Sequence, residues 1–333
     1  MDIQQPPIRV AVSGAAGRIA YSLAFRIAGG GMFGPHQPVS LRLLDIPEAA
    51  QPLRALELEL RDCAQLLLNE VKSTTDPMEA FEGADWVLLL GGKPFSPEHR
   101  DRLELLRLNA PIMIQHGRAI NQVAPTARVL VVTSPSNANC MVARSTAPGV
   151  PESHWFALSQ VTRMRAMGVI AERMGVPVSE VRRLTVWGNN SESALIDLRS
   201  ALIGERPALE VINDSEWVAQ TLGPMIAGRN DEIYRLRGAL PAGSIAQAIL
   251  GTVRSIVTPT PYGRWFCAGV VSDGSYDVPR GLVFSFPLST ADGREWKIEP
   301  NNYLDEVARE RIAANVAEIQ HETTAVSDLL GSI

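Results

Sequence analysis

Long apolar runs are missing from this 333-residue chain, so no segment suits a membrane span, and residues 1–7 (MDIQQPP) have neither the basic start nor the apolar stretch of a signal peptide. A soluble, cytoplasmic protein is expected. Basic residues are also in short supply: 31 Lys and Arg against 36 Asp and Glu give a formal charge of -5, which leaves no surplus to attract a phosphate backbone. Nucleic-acid binding is therefore not expected. The cysteines Cys63, Cys140 and Cys267 are widely separated and odd in number. That fits reduced thiols in a cytoplasm rather than a disulfide framework. They read as small buried apolar groups, with Cys140 a distant candidate for a nucleophile. The five histidines are scattered without metal-ligand spacing, and no metal site is expected.

What is present is an ordinary globular balance, 46% hydrophobic and 20% charged, in a chain long enough for two lobes. In the first half, short apolar runs alternate with stretches of helical period. Strands are expected over 8–13, 39–44, 85–90 and 128–133, and helices over 18–28, 53–68 and 98–119. This is the order of a doubly wound parallel sheet, an α/β Rossmann arrangement. After about residue 150 the texture changes. Short strands over 155–159 and 184–187 flank a helix, long helices are expected over 214–237 and 242–257, antiparallel strands over 265–272 and 281–287, and a closing helix over 303–330. The domains are drawn as 1–155, binding a dinucleotide, and 156–333, a mixed α/β lobe for substrate.

Gly14-Ala15-Ala16-Gly17-Arg18-Ile19-Ala20 follows the first strand directly and opens the first helix. That context raises a glycine-spaced turn above chance. Gly14 permits the tight turn, Gly17 lets backbone approach a pyrophosphate, and the N–H groups of Ala16 through Ile19 face the phosphates. Asp45 ends the second strand (LRLLD), where a carboxylate accepts from ribose hydroxyls and repels a 2′-phosphate. NAD is the expected cofactor. The bland alternative is a turn serving only strand-to-helix geometry, with Asp45 as a helix cap.

GAAGRIAYSL, LRLLDI, LELELRDCA, SPSNANC, the WGN turn, GVVSDGSYDVP and the SFP that follows resemble, almost end to end, the malate dehydrogenases of the dimeric cytosolic-type branch, within the lactate/malate dehydrogenase superfamily. The resemblance implies that fold, an NAD-linked oxidoreductase and a small carboxylate substrate, with Gly91-Gly92 beside the cofactor. It also implies a histidine proton acceptor after WGN, an aspartate orienting it, an arginine clamping a carboxylate, loop arginines, and an asparagine near the nicotinamide. Here Asn190 stands at the histidine's place, Thr162 at the aspartate's and Ser134 at the asparagine's, while Arg165 matches the clamp. Arg102, or Arg100, matches the later loop arginine, and Phe95 or Ser96 takes the earlier position. Histidine and aspartate have gone as a unit, and the dinucleotide residues remain.

Three readings follow. In the first, a divergent NAD-binding enzyme acts on a small carboxylate, by redox or by cyclisation, elimination or isomerisation, in a specialised pathway. In the second, a 2-hydroxy-acid dehydrogenase uses an altered proton relay, with water or His99 as candidate acceptor and Lys93, Glu192 and Cys140 as weaker ones. In the third, the chain is a dinucleotide-binding pseudoenzyme. Thr162, Asn190 and Ser134 either orient substrate as a neutral hydrogen-bonding set or fill the space of the lost groups. Leu53, Leu56, Leu60, Cys63 and Leu67, at helical spacing, are the candidate face of a homodimer, with plain core as the alternative.

Overall fold

The structure, a computed structural model, describes residues 5–93, 101–300 and 302–330. The chain falls into two units, Met1–Ala157 with the segment from His321 onward, and Leu158–Gln320. The closing segment thus groups with the first unit, where the sequence boundary at 155/156 had left it in the second.

The first unit alternates β1 (Ile8–Ser13), α1 (Arg18–Ala28), β2 (Val39–Leu44), α2 (Ala50–Asp62), β3 (Leu68–Thr74), α3 (Pro77–Phe81), β4 (Trp86–Leu89), α4 (Arg102–Val123), β5 (Arg128–Val131), α5 (Ser136–Ser145) and β6 (Trp155–Ala157). All six strands are parallel, in the order β6-β5-β4-β1-β2-β3. Every residue of β4 is buried, which is why its sequence is a continuous apolar run rather than an alternation.

β3 escaped the sequence reading. It is the edge strand, only Val71 in it is buried, and LNEVKST has neither apolar run nor clean alternation. The helix expected over 53–68 is accordingly shorter: it ends at Asp62, and Ala64 has φ 46, which breaks the helical path. Leu53, Leu56 and Leu60 are buried in this chain's own core, so the plain-core reading describes them, while Cys63 is exposed, contrary to the expectation of a buried thiol.

The second unit holds α6 (Gln160–Met174), β7 (Val181–Arg182), β8 (Thr185–Trp187), β9 (Leu195–Asp197), β10 (Leu202–Ile203), β11 (Arg206–Pro207), α7 (Ala208–Ile212), α8 (Leu222–Ala227), α9 (Arg229–Arg237), α10 (Gly243–Val257), β12 (Phe266–Val271), β13 (Val283–Thr290), β14 (Trp296–Ile298) and most of α11 (Glu306–Thr324). A final helix, α12 (Ser327–Leu330), groups with the first unit. Strands β12, β13 and β14 form an antiparallel meander, and β8 and β9 a separate pair.

The single helix expected over 214–237 is broken. A wide π-helical turn (Trp217–Thr221) precedes α8, whose first turn contains Pro224, and Gly228 separates α8 from α9. Proline removes a donor and its ring crowds the preceding turn, so the chain widens before it. The core of this unit gathers Ala166, Ile170, Leu184, Val186, Trp217 and Leu222. No helix among the described residues is long and apolar enough to cross a membrane.

Candidate active site

The carboxyl ends of β1 and β4 meet at the point where the strand order reverses, the place where open α/β sheets bind ligands. Gly14 has φ 66, and a Cβ there would lie 2.6 Å from the Cα of Gly91, so both conformation and space demand glycine. A Cβ on Gly92 would meet Thr133 at 2.6 Å and Asn109 at 2.8 Å. Ser13 Oγ accepts from the N–H groups of Leu90 and Gly91 at 3.2 and 3.1 Å, locking the loop after β4 to the end of β1.

Asp45 braces the glycine turn. Its Oδ2 accepts the N–H of Ala16 at 2.8 Å and its Oδ1 that of Ile46 at 2.8 Å. A carboxylate has about four acceptor sites, so two remain for hydroxyls. Gly17 and Arg18 are exposed, Ala16 and Ile19 half-buried, and among the described residues no side chain caps the N-terminus of α1. An uncapped helix start beside a glycine cradle and an acid at the second strand is a fit for pyrophosphate and ribose.

Asn109 joins the elements around this crevice, and sequence reasoning missed it. Its Oδ1 accepts from Lys93 N at 2.7 Å, and its Nδ2 donates to the carbonyls of Lys93 at 3.2 Å and Ser134 at 3.0 Å. The signal was an amide on the apolar face of α4, within LRLNAPIM, where it is fully buried. Ser134 is half-buried and precedes a cis peptide to Pro135. Arg102 opens α4, with its Nε 2.9 Å and its Nη2 2.8 Å from the same oxygen of Glu322, a carboxylate buried in the first unit.

In the second unit Thr162 and Arg165 lie one turn apart on α6, which packs against β8, the strand that leads into the WGN turn. Arg163 is a structural neighbour. It is 9% exposed, and donates to the carbonyls of Leu184 at 2.9 Å and Trp265 at 3.4 Å. Arg165 is half-buried, and burial followed by the like charge of Arg229 lowers its pKa. Asn190 is half-buried at the end of a turn fixed from both sides. Gly188 exchanges main-chain bonds with Ser285, and Asn189 N donates to Asn315 Oδ1 at 2.9 Å. Beyond it, Ser191 donates to Glu318 at 3.0 Å, and Glu192 is exposed.

Phe95 and His99, with Ser96 and Arg100, lie outside the described residues. Lys93 is exposed, its main chain bound to Asn109. Cys140 is fully buried and its pKa is pushed up to about 12 by burial, which leaves almost no thiolate at neutral pH. The idea of Cys140 as nucleophile is therefore set aside.

Two family descriptions match this geometry, the NAD binding domain of lactate/malate dehydrogenase over residues 8–156 and the alpha/beta C-terminal domain of the same proteins over 161–329. The chain belongs to the lactate/malate dehydrogenase family, whose first domain binds NAD. A malate dehydrogenase of Magnetococcus marinus is 38% identical over 324 residues, covering 97% of this chain and 98% of that protein. The malate dehydrogenase of Naegleria fowleri superposes with a TM-score of 0.92 at 34% identity, with 98% of this chain and 99% of the other covered. The lactate dehydrogenase of Trichomonas vaginalis, in complex with NADH and oxamate, gives a TM-score of 0.92 at 30% identity, covering 98% and 100%.

Proposed function

We propose that this protein is an NAD-linked enzyme acting on a small carboxylate, with Arg165 as the carboxylate clamp, and that it is not an efficient malate dehydrogenase. One observation carries the reading: no histidine occurs between His154 and His321, so the unit that bears Thr162, Arg165 and Asn190 contains no imidazole at all. An asparagine amide is not a base at neutral pH and cannot take a proton from a hydroxyl. Loss of general-base catalysis costs roughly 10²- to 10⁴-fold in rate. Bound NAD supplies a hydride acceptor in this family. The residues of this chain would hold the pyrophosphate at Gly14 and Gly17, the ribose at Asp45 and the carboxylate at Arg165, with Ser134, Thr162 and Asn190 orienting substrate through neutral hydrogen bonds. The chemistry is then either hydride transfer with another proton acceptor, or rearrangement of a carboxylate beside a cofactor that is not consumed. Phe95 is proposed to face an apolar substituent in place of a second carboxylate.

The histidines of the first unit that lie among the described residues do not replace the missing one, which leaves His99, outside them, as the alternative acceptor. His116 is buried against Phe81, the pKa of His154 is lowered, chiefly by burial, and its Nδ1 faces the carbonyl of Ala127, and His36 and His321 are exposed. The test is malate oxidation followed at 340 nm. The natural chain is expected to run roughly 10² to 10⁴ below its relatives, and Asn190→His with Thr162→Asp to recover activity. Oxidation by the natural chain at its relatives' rates would overturn the reading. We further propose a homodimer in the cytoplasm. Leu58, 46% exposed, and Leu66, 101% exposed, are the apolar side chains that α2 and its exit leave open to a partner copy, and three free thiols suit a reducing compartment.

A further inference from the structure

α9 buries none of its residues fully, and Ile233 is its one half-buried apolar side chain, so apolar packing fastens it only weakly. What ties it to the rest of the second unit is polar: Asn230, in its first turn, accepts from Arg165 Nη2 at 2.5 Å. Among the described residues that is the only hydrogen bond Arg165 makes, and no carboxylate approaches it. The charge that does reach it is of the same sign, from Arg229 beside Asn230. Arg229 meets Glu232 at 3.3 Å, one turn along α9, a long and partly exposed contact that neutralises little. A half-buried guanidinium with no ion-pair partner, held by a residue that itself follows a second arginine, is an unfavourable arrangement unless an anion joins it.

We propose that Arg229 and Asn230 complete an anion clamp with Arg165. Asn230 is the positioning residue that holds the Arg165 fork, Arg229 is the second cation on the ligand, and ligand binding is what fastens α9. Arg165 and Arg229, only weakly offset by Glu232, make this corner positive, which suits an anionic group such as a carboxylate. The proposal rests on the reading of Arg165 as the carboxylate clamp.

The experiment uses the whole protein with NADH and takes oxamate as probe, read by quenching of NADH fluorescence, with amide hydrogen exchange of 229–237 as a second readout. Arg229→Gln is expected to weaken oxamate roughly 5- to 20-fold and to flatten the salt dependence of its affinity. Arg229→Lys should keep most of both. Asn230→Ala should weaken oxamate roughly 3- to 10-fold, with partial recovery in Asn230→Gln. Oxamate should slow exchange in α9 of the natural chain and not of Arg229→Gln. If Arg165→Gln abolishes binding while Arg229→Gln and Asn230→Ala keep the natural affinity, salt slope and exchange pattern, α9 takes no part and this inference falls alone. If Arg165→Gln binds oxamate normally, or the natural chain binds neither oxamate nor oxaloacetate, the clamp reading falls with it.

Discussion

Asn315 lies directly against Gly188: its Oδ1 accepts the N–H of Asn189 at 2.9 Å and would be 2.2 Å from a Cβ placed on residue 188, whose φ is 100. The turn that presents Asn190 is therefore shaped by a side chain of α11 pressed onto a residue that can only be glycine. Backbone strain and overpacking each cost about 1–3 kcal/mol, so Gly188→Ala is expected to destabilise the protein by about 3 kcal/mol in urea unfolding. Asn315→Ala in the same chain should relieve part of that, making the pair of substitutions less costly than their sum. Strict additivity would show that the two residues are not coupled.

His116 sets a pH limit. It is fully buried with its pKa pushed down to about 4 by burial, and its ring meets Phe81 edge-on at 5.4 Å. The unfolded chain takes up a proton near the ordinary value of 6.5 and the folded chain does not, so this contribution is fully present above 6.5 and is lost as pH falls toward 4. The loss amounts to about 3 kcal/mol. Urea midpoints at pH 7 and 4.5 should differ less in His116→Gln than in the natural chain, and an equal difference in both would remove His116 as the cause.

Arg102 and Glu322 predict a split between stability and binding. Glu322 is buried and Arg102 only partly so; losing the charged hydrogen bonds between them costs about 1–3 kcal/mol, and Glu322→Gln is expected to lower the unfolding midpoint. If Arg102 also serves substrate, the same change removes a carboxylate that competes with the substrate and oxamate affinity rises. A lower midpoint with unchanged affinity would confine Arg102 to a structural role.

Thiol titration offers a simple check on packing. Cys63 is exposed, whereas Cys140 and Cys267 are buried with raised pKa values. One of the three thiols should react promptly with an aromatic disulfide reagent, the other two only on unfolding. Prompt reaction of all three would contradict the burial of β12 and α5.

The Rossmann half was legible because its strands are buried on both faces and its glycines are forced by contact: β1, α1 and β2 fall where apolar runs and the turn at Gly14 put them. The elements that were misread lack such a signal. β3 is a polar edge strand, and the breaks around α8 follow Gly223-Pro224 and Gly228, local breaker signals that the helical period of the surrounding residues masked. At the site, single residues could be named but their partners could not. Nothing local in the sequence says that Asn109 holds Lys93 and Ser134, or that Arg163, two residues from Arg165, is buried on carbonyls while Arg165 is not. Those assignments depend on which face of a helix turns inward and on what a distant segment brings to it.

The bond from Ala16 N to Asp45 Oδ2 gives cofactor choice a structural cost. The carboxylate that we propose to face the ribose, where it would disfavour a 2′-phosphate, is also a brace for the glycine turn. A lineage drifting toward the phosphorylated dinucleotide could not simply discard the acid, because the turn would lose its support at the same step. It would first have to find another acceptor for that amide, and preference for NAD is thereby protected by the folding of the loop as well as by the chemistry of the ribose.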